Sequence, residues 1–168
     1  YIYFLDSNVI IENNFVYEIK KMIKLNNKPD LILFSGMTFS NDNKIHNKVN
    51  LTFSLDGQYF REDGLLTRLV KKKETLPQAS RYVSKKNVWI HNKLNYPEGI
   101  AEDEEIFFPL LSLSKNTVIS SKNFYRYRVD RPGSITLDSP KPIHAENYFN
   151  RILFTIDFMK KNKEIIIS

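Results

Sequence analysis

The chain opens on an apolar run, Tyr1-Ile2-Tyr3-Phe4-Leu5, that stops abruptly at Asp6-Ser7-Asn8. An unbroken apolar stretch of this length, bounded by turn residues, predicts a buried strand over residues 1–5. From Asn13 or Asn14, either of which can cap a helix, Phe15, Val16, Ile19, Met22 and Ile23 recur at the spacing of one helical face. That helix is predicted to end at Asn26-Asn27-Lys28-Pro29, and Leu31-Ile32-Leu33-Phe34 to form a second buried strand. Strand, helix and strand in this order predict a right-handed crossover joining a parallel pair.

Residues 37–60 break this rhythm. Polar turn material at Asn41-Asp42-Asn43 separates short strand-like runs, and Asp56-Gly57 marks a further turn. The segment reads as an antiparallel excursion or a flexible lobe. Leu65, Leu66, Leu69 and Val70 predict a short helix that breaks near Pro77. A strand at Arg81-Tyr82-Val83 and a short helix around Val88-Trp89-Ile90 follow, before a turn at Asn95-Tyr96-Pro97-Glu98-Gly99. Ile106, Phe107, Leu110, Leu111 and Leu113 predict an amphipathic helix, with Pro109 tolerated near its start or at a kink. Thr117-Val118-Ile119 and Phe124-Tyr125-Arg126-Tyr127 read as two strands, and Pro132-Gly133 as a loop. A last helix runs from about Ala145 to Lys161, with Tyr148, Phe149, Ile152, Leu153, Ile156 and Met159 on its apolar side. No internal repeat, low-complexity tract or interior linker interrupts the chain, so one α/β domain is the economical architecture.

Composition narrows this picture only a little. At 168 residues the chain has enough length for a sizeable core, and its 12 Phe and 9 Tyr argue against disorder. The absence of cysteine excludes a disulfide framework and thiolate metal sites. No apolar stretch is long enough to span a bilayer, and the first residues lack the basic flank of a signal peptide, so a cytoplasmic location is the default expectation. A first residue already inside a strand, with no initiator Met, suggests further sequence upstream. The net charge of +6 favours phosphate-bearing partners in general, whether nucleic acid, anionic lipid or sugar nucleotide. Lys71-Lys72-Lys73 and Lys160-Lys161 fall at the ends of predicted helices, where the helix dipole alone explains them.

Three clusters carry candidate chemistry. Asp6-Ser7-Asn8 follows a strand directly, the usual address for ligands in α/β sheets. A carboxylate there suits Mg²⁺ or Mn²⁺ bridging substrate phosphates, and it equally suits a turn or a helix cap. Glu102-Asp103-Glu104-Glu105 opens a helix, where acidic residues complement the dipole. Four adjacent carboxylates nevertheless repel one another, and one of them can serve to deprotonate an acceptor hydroxyl. In Phe124-Tyr125-Arg126-Tyr127-Arg128 the arginines share one face of a strand. Arg128 and Arg131, beside Pro132-Gly133-Ser134, can clamp phosphate oxygens. A nucleic-acid reading would use Tyr125 and Tyr127 as stacking platforms around Arg126, and a plain edge strand remains open. His46, His91 and His144 show no metal-ligand spacing. There is no Walker loop, dinucleotide glycine fingerprint or nucleophile elbow.

In combination these pieces resemble one family. Ile2-Tyr3-Phe4-Leu5-Asp6-Ser7-Asn8 with Ile11-Glu12 is similar to the "FLDSDD…E" segment of family-2 glycosyltransferases of the GT-A fold. Tyr96-Pro97-Glu98-Gly99 followed by Glu102-Asp103-Glu104 resembles their "F-x-E-G…EDE" segment. Tyr125-Arg126-Tyr127-Arg128 through Arg131-Pro132-Gly133-Ser134-Ile135 resembles the "Y-x-YR…R-x-G-S-I" segment near the end of that domain. The resemblance implies a partial GT-A-like α/β fold, a mixed sheet flanked by helices, over residues 1–142. Residues 143–168 then form a C-terminal amphipathic helix, packed on the domain or resting on a membrane surface.

The same resemblance implies an inverting transfer from a nucleotide-sugar donor to a hydroxyl of a glycan or lipid-linked acceptor, in cell-surface polysaccharide or glycan synthesis. It assigns Asp103 as base with Glu102 in support, and Asp6 and Asn8 to a Mn²⁺ or Mg²⁺ ion. Asp6, Arg128, Arg131 and Ser134 fall to the donor diphosphate. Asn8 and Val9 stand where the family carries acidic residues, which implies a weakened metal site. The nucleotide-base-binding half of the family precedes the matched region and has no counterpart in it. A non-catalytic binding or scaffold protein on the same fold, and a basic nucleic-acid-binding domain, are the alternative expectations.

Overall fold

A computed structural model describes residues 1–40, 45–46, 51–97, 102–130 and 142–163. In chain order the elements are β1 (Ile2–Tyr3), β2 (Val9–Ile11), α1 (Phe15–Leu25), β3 (Leu31–Phe39), β4 (Ile45–His46) and β5 (Gly57–Phe60). There follow α2 (Leu65–Lys72), β6 (Tyr82–Ser84), α3 (Lys86–His91), α4 (Glu102–Leu113), β7 (Asn116–Arg128) and α5 (Pro142–Lys161). One mixed sheet runs in the order β1-β6-β3-β7-β2, with β4 beside β3 and β5 beside β7. The fold is mixed α/β, a sheet flanked by helices, as the sequence led us to expect.

The long parallel pair at its centre is β3 with β7. The expected parallel pairing of the first strand with Leu31–Phe34 does not form, because β6 lies between β1 and β3 and is antiparallel to both. Nor is the first apolar run a buried strand. Only Ile2–Tyr3 pairs, at the edge of the sheet order, and Leu5 is exposed. The reason is aromatic. Phe4 leaves the ladder and packs on Trp89 and Tyr96, each at 5.0 Å between ring centroids. Val9–Ile11, too short to stand out in the sequence, then forms a strand of its own antiparallel to β7. The segment after residue 37 does make antiparallel pairings, β4 with β3 and β5 with β7.

The strands expected at 117–119 and 124–127 are one continuous β7. Polar Ser121-Lys122-Asn123 between them is an exposed irregularity where the register against β3 shifts at Phe34, Ser35 and Gly36. This is the signature of a bulge, and it re-aims the residues beyond it. Tyr125 consequently lies opposite Gly36, where any added Cβ would sit 2.3 Å from the tyrosine ring.

Alternate residues of β3 serve opposite faces of the sheet. Leu31 and Leu33 join a core with Leu65 and Leu69 of α2, Trp89 of α3, and Phe107 and Leu110 of α4. Ile32 and Phe34 join a second core with Phe15 and Ile19 of α1, Phe124 and Tyr125. Burial on both faces explains why β3 reads as an unbroken apolar run. Pro109 lies inside α4 rather than near its start, so the carbonyl one turn earlier loses its helical donor. The last helix packs on α4, but not by the side expected. The α5 residues that lose solvent are Asn147, Arg151, Thr155, Phe158 and Asn162, and Arg151 forms a buried ion pair with Glu105 of α4. Its apolar side faces outward.

Candidate active site

The site is built where the chain leaves β1 and where α4 begins. Trp89 donates its indole N–H to Ser84 Oγ at 2.7 Å, and packs tilted against Tyr96 at 5.6 Å between ring centroids. Phe4 closes this aromatic group, so the turn that starts at Asp6 is held close to the segment leading into α4. The hydroxyls of Tyr82 and Tyr96 share a hydrogen bond of 2.6 Å, fixing β6 to the same segment. Sequence alone separates these pieces widely; aromatic packing brings them together.

The electrostatics report the result. Asp6 is solvent-accessible yet crowded, and its carboxyl is held above the usual range, first by partial burial and then by the charge of Glu102. Burial is also the main cause that pushes up the phenols of Tyr3, Tyr82, Tyr96 and Tyr125, and each of them feels the charge of Asp6. Asp103 acts on Tyr82 and Tyr96 as well. Asp6, Glu102 and Asp103 therefore form one acidic group, bordered by phenols. Asp103 is half-buried in the first turn of α4, where the helix dipole favours its charge.

Asn8 is joined to the other arm of the site. Its carbonyl accepts the backbone N–H of Arg128 at 2.9 Å, at the end of β7. The Arg128 guanidinium lies 5.5 Å from the ring centroid of Phe39. Arg126, on the same face, pairs with Glu12 at 3.1 Å. Tyr125 is fully buried and donates to Gln78 Oε1 at 3.1 Å. A fully buried ring offers no platform to a base, so the nucleic-acid reading loses one of its two platforms and keeps only the half-exposed Tyr127. Arg131 and Ser134 lie outside the described residues, as do Glu98 and Gly99; the side chain of Glu104 is likewise not described.

Asp6 and Asn8 offer a carboxylate and an amide oxygen, the donor types of hard divalent cations. Among the described residues no group of three or more His, Asp or Glu side chains converges as an all-protein metal cage. Mg²⁺ and Mn²⁺ sites that also use substrate phosphates and water require only one or two protein carboxylates. The repulsion between Asp6 and Glu102 is the feature such an ion would relieve, so the donor set fits a metal held jointly with a diphosphate.

The bordering phenols and Arg81 were not legible as site residues. Arg81 is fully buried, stacked 4.1 Å from the Phe53 centroid, and donates to the carbonyls of Leu76 at 2.8 Å and Leu51 at 3.4 Å. Burial lowers its pKa while Tyr125 and Glu74 oppose the change. An arginine inside an otherwise strand-like Arg81-Tyr82-Val83 was the one available signal.

No protein-family model matches the chain, and no curated protein matches it in sequence. Solved structures do match in fold. S. aureus TarS residues 1–349 in complex with UDP-GlcNAc gives a TM-score of 0.71 at 14% identity, covering 98% of this chain and 46% of that one. The same protein in complex with UDP gives 0.66 at 13% identity, covering 98% and 44%. A third structure of TarS 1–349 gives 0.65 at 13% identity, covering 98% and 44%. The chain thus spans less than half the length of these structures. At such identities the likeness is one of fold alone: TarS 1–349 contains the same mixed sheet flanked by helices.

Proposed function

We propose that this chain is the acceptor-side part of a glycosyltransferase of the family-2, GT-A type. It transfers a sugar from a nucleotide-sugar donor to a hydroxyl of a glycan or lipid-linked acceptor, with inversion. The observation that carries the reading is the convergence of Asp6, at the end of β1, with Glu102 and Asp103, at the start of α4. These are the residues that the motif resemblance assigns to the donor side and to the base. The TarS complexes with UDP-GlcNAc and UDP support a nucleotide-sugar partner by analogy of fold.

In this reading Asp103 accepts the proton of the acceptor hydroxyl as that oxygen attacks the anomeric carbon from the face opposite the diphosphate. Glu102, beside it in the first turn of α4, supports Asp103 by position. Asp6 and Asn8 are the residues that would hold a Mn²⁺ or Mg²⁺ ion, and the ion would supply positive charge to offset the negative charge of the leaving diphosphate. Arg128, with Arg131 and Ser134 of the following segment, supplies cationic and hydroxyl contacts to the same phosphates. Because Asn8 contributes a neutral oxygen, the ion is held more weakly than by a pair of carboxylates. Incubation with a panel of sugar nucleotides and Mn²⁺ tests the proposal: release of nucleoside diphosphate with an inverted anomeric product supports it. Binding of donor with no release would favour the non-catalytic scaffold instead.

A further inference from the structure

We infer that the outward face of α5, with the end of α2 beside it, is a docking surface for an anionic lipid bilayer. The reasoning begins with a helix that packs inside out. Its half-buried stripe toward α4 is largely polar and is anchored by the Arg151–Glu105 ion pair. The exposed residues Tyr148, Phe149, Ile152, Leu153, Ile156 and Met159 form one continuous arc of roughly 140°. An apolar arc on that scale, turned toward water, costs stability unless something covers it.

The face continues beyond the helix. Thr155 and Met159 line a cavity of about 360 Å³ together with Leu66, Val70, Phe108 and Leu111. Lys71 lines the same cavity, so the C-terminal end of α2 abuts the C-terminal half of α5. Lys71, Lys72 and Lys73 there, Lys160 and Lys161 at the end of α5, and Lys163 just beyond it are all exposed. The acidic residues on α5 are Glu146 and Asp157, and Asp157 is paired with Lys161 at 2.7 Å. Glu62 and Asp63 follow Arg61, which also lines the cavity, and the Asp63 carboxylate accepts the Phe60 N–H at 2.7 Å. Apolar side chains framed by lysines match the interfacial helices that insert their apolar side at the headgroup boundary and place cations against anionic headgroups. Among the described residues no helix is long and apolar enough to cross a membrane, so the contact lies along the surface. The cavity offers room for part of an acyl chain. This inference is independent of sugar transfer.

Co-sedimentation of the chain with phosphatidylcholine vesicles, with and without phosphatidylglycerol, is the test. Binding is expected to the phosphatidylglycerol vesicles alone and to weaken as salt rises. Lys160→Gln, Lys161→Gln and Lys163→Gln together should lower the affinity about a hundredfold, at roughly fivefold for each lysine. Phe149→Ser with Ile152→Ser should abolish binding while the melting transition and the circular dichroism stay unchanged, since both side chains are exposed. No binding to phosphatidylglycerol vesicles would overturn the inference, as would undiminished binding by the Ser variants. A dimer in light scattering that those variants dissociate would assign the arc to a second copy of the chain and overturn it equally.

Discussion

The backbone N–H of Arg128 donates to the carbonyl of Asn8 at 2.9 Å, tying the turn after β1 to the end of β7. Asp6 lies in that turn, with Val9 N–H bonded back to its carbonyl at 3.1 Å. One short hairpin-like junction therefore carries both the carboxylate and the arginine that the proposed mechanism assigns to the diphosphate. Partial burial, and after it the charge of Glu102, holds the Asp6 carboxyl above its usual range.

Asn8→Asp adds a second carboxylate to this junction. Mn²⁺ binding in the presence of a nucleoside diphosphate should tighten about tenfold, equivalent to ~1.4 kcal/mol, as read by calorimetric titration. Unchanged affinity would place the ion elsewhere.

The Tyr82–Tyr96 hydrogen bond makes an asymmetric prediction. Tyr82 is fully buried, whereas Tyr96 is only partly so. Tyr96→Phe leaves the Tyr82 hydroxyl with no partner and no access to water, costing about 1–3 kcal/mol. Tyr82→Phe leaves a hydroxyl that water can reach and should cost about 0.5–1.5 kcal/mol. Urea unfolding of the two variants decides this. Equal losses would mean that the bond contributes nothing beyond packing.

Gly36→Ala should destabilise the fold by about 1–3 kcal/mol, since its methyl would overlap the Tyr125 ring and force the ring or the strand to move. The fall in melting temperature measures it. No change would show that the bulge in β7 adjusts freely.

How much of this was legible depended on range. The helices α1, α2 and α4 follow from apolar spacing within a few residues, and the structure has them where that spacing put them. Pairing was another matter. β2 is Val9–Ile11, too brief to stand out, and its place beside β7 depends on residues more than a hundred positions away. The bulge at Ser121–Asn123 looked like a gap between strands because polar, exposed residues interrupt the pattern in both cases. For the site, the order of Asp6, Glu102–Asp103 and Arg128 was readable through motif resemblance. The phenols of Tyr3, Tyr82, Tyr96 and Tyr125 were not, since nothing local distinguishes a core tyrosine from one that borders a carboxylate. The inverted packing of α5 was also hidden, because an apolar stripe marks which side is greasy and not which side meets the domain.

Those phenols fix the alkaline limit of stability. Their folded pKa values lie above the ordinary tyrosine value, so the folded chain holds protons that the unfolded chain releases. Their contribution is fully present below about pH 10 and is lost as pH rises past it toward the folded values. Tyrosinate absorbance and near-ultraviolet circular dichroism should report these phenols ionising together with unfolding. Ionisation near the ordinary value in a chain that remains folded would contradict the packing around Asp6.

The most direct measurement compares the chain with its Asp103→Asn variant in Mn²⁺-dependent release of nucleoside diphosphate from the sugar nucleotide. The variant should keep its donor affinity, because the substitution leaves Asp6, Asn8 and Arg128 in place. Its turnover should fall by about 10²–10⁴, the usual contribution of a general base. Turnover in the variant equal to that of the unaltered chain would contradict the role of the acidic turn as the catalytic base.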